Sequence, residues 1–350
     1  ADFNPVGTGF AFRSSGDEVY LLSGDVQTNL TGYLHGFNFG AAETGISFGR
    51  HLTSQGAEHF VAQRDLSLGA TNAGPKVGPV IISEIMYRPP DLPGSVDNQD
   101  DEFIELRNVT STSVPLYDLA RPANTWRLHG GVDFNLPSGV TLPPNGTLLL
   151  VSFHPTNEVK LAAFRARYGV PPQVLILGPY SGKLDNSADN VRISKPDAPL
   201  AGGSVPSILV EEVEYTDSSP WPDGADGMGA SLQRTSLTAY GNDPANWTAA
   251  VPTAGWDFGG GVPPIITAQP TDVTVVGLND ATFSVTATGT EPLAYQWRRN
   301  GVNLAGATNA TFTFPAQPLG DALYSVAVFN PAGATLSSNA SLTVLLPAKI

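Results

Sequence analysis

Alternation with a period of two, cut again and again by proline and glycine, is the feature that most limits what this chain can fold into. Val80-Ile81-Ile82-Ser83-Glu84-Ile85-Met86, Glu102-Phe103-Ile104-Glu105-Leu106, Thr147-Leu148-Leu149-Leu150-Val151 and Asn190-Val191-Arg192-Ile193 all read as strands, because an extended chain points successive side chains to opposite faces. Pro/Gly clusters at 89–94, 136–146 and 196–206 separate them. Glycine (37) and proline (30) are abundant while charged residues are 14% of the chain, a balance that long solvated helices do not tolerate. One stretch, Glu158 to Tyr168, predicts a helix: Thr156 and Asn157 are candidate N-caps and Gly169 ends it before Pro171-Pro172. The expected fold class is all-β.

At 350 residues the chain is long enough for two or three domains, and 41% hydrophobic content is enough for packed cores. The net charge of −14 repels a polyanion, so nucleic acid is not an expected partner. With no cysteine, a disulfide framework, a thiolate metal site and a cysteine nucleophile are all excluded. No apolar run approaches the roughly 20 residues of a membrane span. The chain opens Ala1-Asp2-Phe3-Asn4-Pro5 with no visible signal peptide, so a processed or excerpted, secreted or cell-surface protein is the expectation.

Two stretches read as linkers, Ala70–Gly78 and Trp256–Pro264. They divide the chain into 1–75, 78–255 and 264–346. The first two blocks echo each other. Ser14-Ser15-Gly16-Asp17-Glu18-Val19-Tyr20-Leu21 parallels Asn186-Ser187-Ala188-Asp189-Asn190-Val191-Arg192-Ile193, and Gly45-Ile46-Ser47-Phe48-Gly49-Arg50 parallels Gly229-Ala230-Ser231-Leu232-Gln233-Arg234. An aromatic (Phe60, Trp247) and an exit (Asn72-Ala73-Gly74, Thr253-Ala254-Gly255) close both copies. Block one therefore reads as the C-terminal half of a repeat whose complete form is block two.

Block two resembles the bacterial lamin tail domain, a compact immunoglobulin-like β-sandwich. The resemblance is carried by Ile81-Ile82-Ser83-Glu84-Ile85-Met86-Tyr87 before Pro89-Pro90, Glu102 through Asn108, Trp126-Arg127-Leu128, and Leu142-Pro143-Pro144-Asn145-Gly146. It continues through Ala163 to Gly169, Leu177 to Leu184, and Gly229 to Arg234. The loops Asp97–Asp101 and Asp217–Asp226 are longer and more acidic than that pattern needs. By the echo, block one is similar to the second half of a preceding lamin tail domain. Block three resembles a bacterial immunoglobulin-like domain without its disulfide: Val285 and Val326 stand at the cysteine positions, Trp297 at the strand C tryptophan, and Tyr324 at the tyrosine-corner spacing. Together these imply tandem immunoglobulin-like β-sandwiches with one short helix inserted in the central domain.

Candidate chemistry is sparse. Gly45-Ile46-Ser47-Phe48-Gly49 matches the G-x-S-x-G string, but no helix pattern follows it, so Ser47 reads as a strand residue. His35, His51, His59, His129 and His154 show no zinc-ligand spacing and read as exposed loop residues, although Glu58-His59 and His51 could meet in space. Asp97, Asp100 and Asp101, in the densest acidic run, are candidate calcium ligands, with a solvated loop as the alternative. Asp223 and Asp226 form a weaker pair in a turn. Glu84 and Glu105 could act as a carboxylate pair, and alternation along edge-accessible strands also explains them. Trp221, Trp256 and Tyr180 lie in loops where rings could stack on a sugar, or simply pack over the sandwich. No basic patch interleaved with aromatics forms.

These features point to a non-catalytic extracellular or surface protein serving structure, adhesion or assembly, with no enzyme activity and no cofactor beyond a possible calcium. Its partners are expected to be proteins, including self-assembly through the partial first block, with a glycan as another candidate. Two alternatives stand beside this: accessory modules of a larger secreted nuclease, phosphoesterase or spore-coat-type kinase, and a carbohydrate-binding module. The half-repeat predicts that residues 10–70 form strands superposable on 184–250, with the missing half supplied by block two, by another chain or by a preceding segment.

Overall fold

The computed structural model describes residues 12–345 apart from 28, 257–261, 277–278, 291–292, 305, 316–321 and 331–332. Residues 257–261 of the second linker, Asp321, Leu346-Pro347 and the opening Ala1–Pro5 lie outside the described residues.

The chain is an all-β tandem of immunoglobulin-like sandwiches carrying, among the described residues, one α-helix. Its longer elements begin with β1 (Gly16–Gly24), β2 (Leu30–Gly40), β3 (Phe48–Leu52) and β4 (Glu58–Ala62). In the middle region come β5 (Val80–Met86), β6 (Phe103–Asn108), β7 (Arg127–Gly130), β8 (Val132–Asn135) and β9 (Thr147–Val151). There follow α1 (Glu158–Tyr168), β10 (Leu175–Leu177), β11 (Ala188–Pro196), β12 (Ser207–Thr216), β13 (Ser231–Arg234) and β14 (Trp247–Ala250). The C-terminal region contributes β15 (Asp280–Ser284), β16 (Ala294–Arg299), β17 (Thr311–Pro315), β18 (Leu323–Asn330) and β19 (Ala340–Leu345).

Two sheets face each other in the middle region. One runs β10-β9-β6-β5-β13-β14 and the other runs from the short pair at Ser181–Gly182 through β8-β7-β11-β12. Between them Ile82, Ile85, Ile104, Leu106, Leu128, Leu148, Leu150, Val191, Ile193 and Val213 form a closed core. The alternate residues of the first sheet are also covered, because α1 packs Phe164 and Tyr168 over Met86, Phe103, Leu149 and Val151. This is why every residue of β5 and β6 is buried. The helix starts and stops as the sequence indicates: Asn157 Oδ1 accepts the Lys160 amide at 3.2 Å, and Gly169 ends it in the left-handed region at φ 65°.

In the C-terminal region β15 pairs with β17, and β16 and β19 pair with β18. Trp297 is fully buried, its Nε1 donating to the Asn309 carbonyl at 2.9 Å. Val285 and Val326 join the same core. Phe283 stacks on Tyr324 with ring centroids 4.7 Å apart, so aromatic packing ties together strands that a disulfide joins in the bridged form of this fold.

The first region repeats the register of the middle one. On β1 and β2, Asp17, Val19 and Leu21 sit opposite Phe39, Phe37 and His35. On β11 and β12, Asp189, Val191 and Ile193 sit opposite Tyr215, Val213 and Glu211. Likewise Arg50 faces Phe60 across β3 and β4 as Arg234 faces Trp247 across β13 and β14. Each hairpin of the first region is a two-stranded sheet among the described residues. They are held together by an aromatic cluster in which Phe37 stacks on Phe60 at 4.7 Å and Phe39 meets Phe48 at 5.3 Å.

Candidate functional site

The densest set of buried ionisable groups lies where the middle sandwich closes on its own exit. β5 and β6 are adjacent central strands, so Glu84 and Glu105 become Cα partners, both fully buried. This corrects the expectation of edge-accessible carboxylates: α1 on one side and residues 253–255 on the other seal the face they occupy. Glu84 Oε1 accepts from the Ser231 hydroxyl at 2.5 Å and the Thr253 amide at 3.0 Å, and its Oε2 accepts from the Thr253 hydroxyl at 2.9 Å. Glu105 accepts from the Ser83 hydroxyl at 2.6 Å and the Gly255 amide at 2.7 Å. The two carboxyls thus clamp the chain as it leaves the sandwich. Burial, and after it the charge of Glu105, pushes the Glu84 carboxyl up to about 8 against the pull of Ser231 and Thr253. A recess of about 310 Å3 bordered by Ser83, Glu84, Gln233 and Thr253 lies alongside.

Two further buried carboxyls escaped the sequence reading. Glu102 accepts from the Tyr180 hydroxyl at 2.9 Å and the Leu184 amide at 3.2 Å, and burial raises it to about 7. Glu211 pairs with Arg234, which also donates to the carbonyls of Ile82 and Ala239. Burial outweighs the guanidinium and lifts Glu211 to about 7. No local signal marked them: Glu102 stands between Asp101 and Phe103, and Glu211 between Val210 and Glu212.

The other candidates disperse. Asp97 accepts from Asn186 at 3.1 Å and faces Lys183, Asp100 pairs with Lys160 at 2.7 Å, and Asp101 with Arg167 at 3.0 Å. Each carboxylate meets its own cation, and no group of three His, Cys, Asp or Glu residues that could hold a metal forms among the described residues. Asp226 pairs with Arg88, while Asp223 opens a short 3-10 turn. Ser47 precedes β3 and no helix follows. The loop aromatics take the packing alternative: Tyr180 and Trp221 are buried in the core, Trp221 against Trp247. Trp256, half-buried, packs on Phe329 of the C-terminal region at 5.1 Å and donates to the Gly169 carbonyl. Their rings close the sandwich and leave no stacking platform.

Four histidines expected in loops sit on strands: His35 on β2, His51 on β3, His59 on β4 and His129 on β7. His51 and His59 are partners across β3 and β4, and both rings lie edge-on to Tyr240, whose hydroxyl meets His59 Nδ1 at 2.9 Å. His35 and Arg50 share Glu58. Of the remaining two, His129 meets Ser194 at 2.8 Å and His154 meets Thr156 at 2.8 Å. The Tyr240 contact belongs to a seam between the first and middle regions. There Glu43 joins Lys76 and Lys195, Asp243 accepts from Ser54, and Ala41 bridges Ile208. Burial alone would raise Glu43, but the bonds from Lys195 and Lys76 hold it below the usual carboxylate range. A cavity of about 350 Å3 lies in this seam, walled by Phe39, Phe48, Phe60, Ile208, Val210 and Tyr240.

No family model matches the chain. Among curated proteins it is similar to Endoglucanase C of Cellulomonas fimi, 32% identical over 163 residues, which is 43% of this chain and 15% of that enzyme. The chain therefore spans only a small part of that relative. Similar solved structures include the tandem immunoglobulin repeats of Dlar (13% identity, TM-score 0.24, 46% of this chain and 91% of that one). Another is the titin M10–obscurin-like 1 complex (27% identity, TM-score 0.23, 26% of this chain and all of that one). No helix among the described residues is long and apolar enough to cross a membrane.

Proposed function

We propose that this chain is a non-catalytic, extracellular or cell-surface string of β-sandwich modules serving structure, adhesion or assembly. Residues 78–255 form a complete lamin-tail-like repeat, 1–75 the second half of another, and 264–346 an immunoglobulin-like module. The observation that carries this reading is the use to which the buried ionisable groups are put. Glu84, Glu105, Glu102 and Glu211 accept hydrogen bonds from the chain's own backbone and side chains, so their chemistry is spent on cohesion. The second reading, accessory modules of a secreted enzyme, is favoured by the similarity to part of Endoglucanase C.

The test is turnover by the intact chain on cello-oligosaccharide, DNA and phosphomonoester substrates, beside a cellulose sedimentation assay. The expected result is no product above the protein-free blank. Product release that Glu84→Gln abolishes would overturn the proposal, and retention on cellulose would favour the accessory-module reading.

A further inference from the structure

The β1 edge of the first region is built to receive a strand. In the middle region, β11 is paired on one side with β12 and on the other with β7, with Leu128 opposite Ile193 and Gly130 opposite Val191. Gly131 follows, its amide donating to the Asn190 carbonyl at 2.9 Å. Only glycine fits at these two positions. Gly130 has φ 120° and a Cβ there would run into the Asn190 carbonyl, while a Cβ on Gly131 would overlap the Asp189 carboxylate. That carboxylate is fixed by a local bend, accepting from the Asn190 amide at 2.8 Å and the Asp185 amide at 3.1 Å.

The first region keeps the receiving half of this arrangement. Asp17, the counterpart of Asp189, accepts from the amide of the next residue, Glu18, at 3.0 Å and from the amide four residues back, Arg13, at 3.2 Å. Val19 and Leu21 stand where Val191 and Ile193 stand. Yet among the described residues no strand lies on the outer edge of β1, and Leu21 is 66% exposed where Ile193 is 0%. Tyr33, on the same face, is 54% exposed. An unpaired edge beside an uncovered apolar face is a template for strand addition, in which main-chain bonds supply affinity and side-chain pockets supply register. β7, the strand of that pattern among the described residues, is already held by β11, in this chain and in any second copy of it.

We infer that the β1 edge docks a strand of the pattern aliphatic-x-Gly-Gly, presented by an amino-terminal half-repeat that is not part of residues 1–350. The aliphatic residue lies opposite Leu21, the first glycine opposite Val19, and the second glycine passes over Asp17. The inference rests on reading residues 16–62 as the second half of a repeat, and it names that half's partner.

The probe is a synthetic hairpin peptide with the sequence of residues 124–136, added to the intact chain, with amide hydrogen exchange as the readout. The amide of Tyr20, two residues beyond Glu18 and so on the same outward side of β1, should exchange at least tenfold more slowly with saturating peptide. A peptide carrying Gly131→Val should bind at least tenfold more weakly, as should Leu21→Asp in the chain, whose exposed position leaves the fold intact. Three results each overturn the inference: a Tyr20 amide already protected in the free chain, no protection at millimolar peptide, or equal binding of the valine peptide. Concentration-dependent dimerisation that protects the same amide would show a second copy as the occupant and overturn it too. None of these readouts depends on turnover, so failure here is separable from failure of the proposed function.

Discussion

The hairpins β1–β2 and β11–β12 share a register and an aspartate-stabilised bend, yet one lies half bare and the other lines a closed core. Ile193 is sealed by Leu128 on the neighbouring strand and by the opposing sheet, whereas Leu21 at the matching position meets solvent. Identical pairing with opposite burial shows that strand register is set locally, by alternation and turns, while burial depends on which sheet arrives from elsewhere in the chain. The same contrast holds for the ion pairs. Arg234 reaches Glu211 inside the middle sandwich, and its counterpart Arg50 reaches Glu58 at the surface.

Breaking the ion pairs should give the largest separation. Arg234→Ala leaves Glu211 buried without its cation and should cost the middle region about 3–5 kcal/mol, read as a lowered denaturant midpoint. Arg50→Ala should leave the midpoint unchanged, since both partners are solvated. Equal losses from the two variants would mean that the first region is as enclosed as the second.

Truncating the matched aliphatics should come next. Ile193→Ala is expected to cost about 2–5 kcal/mol through lost burial and a cavity, and Leu21→Ala to stay within about 0.5 kcal/mol. A large loss from Leu21→Ala would show that its face is covered in solution.

The pH response should separate the regions more gently and with opposite sign. Glu84 titrates at about 8, and Glu102 and Glu211 at about 7, all raised from the ordinary 4.5. These groups favour the folded middle region when protonated. Their contribution is full below about pH 4.5 and is lost as the pH rises through 7 to 8. Glu43 is lowered, so the stability it lends the first region is present above pH 4.5 and lost as the pH falls through its folded value. Region-resolved hydrogen exchange should show the middle region loosening between pH 6 and 9 and the first region loosening below pH 4. Glu84→Gln should flatten the alkaline arm.

The smallest effect belongs to the seam. Ser54→Ala removes the hydroxyl bond to Asp243 and keeps the backbone amide bond, and should speed exchange in β3 and β4 while leaving β13 and β14 unchanged.

Much of the fold was legible because its determinants are short-range. The helix from Glu158 to Tyr168 was readable from Asn157, the Ala163-Phe164 stretch and Gly169, and the strands from alternation. The internal echo even placed Arg50 with Arg234. The buried carboxylates were not legible. Glu84 and Glu105 alternate as residues on an exposed sheet edge would, and nothing near them in sequence announces that α1 and residues 253–255 will cover that face. The loop aromatics left stacking and packing both open for the same reason. Trp221 lies between two prolines like a surface residue, and it is Trp247, 26 positions on, that takes it into the core. The histidines were assigned to loops although Arg50-His51-Leu52 and Glu58-His59-Phe60 alternate as strands.

The sequence by itself determined the period of the strands, the ends of the helix, the absence of disulfides and the twofold echo, since each depends on dihedral preference or on side chains within a few positions. Only the tertiary structure decided which faces are dry, which carboxyls are forced toward protonation and which edge of β1 has no strand beside it among the described residues. Those depend on segments brought together from tens to more than a hundred residues apart, and desolvation is a property of the assembled neighbourhood.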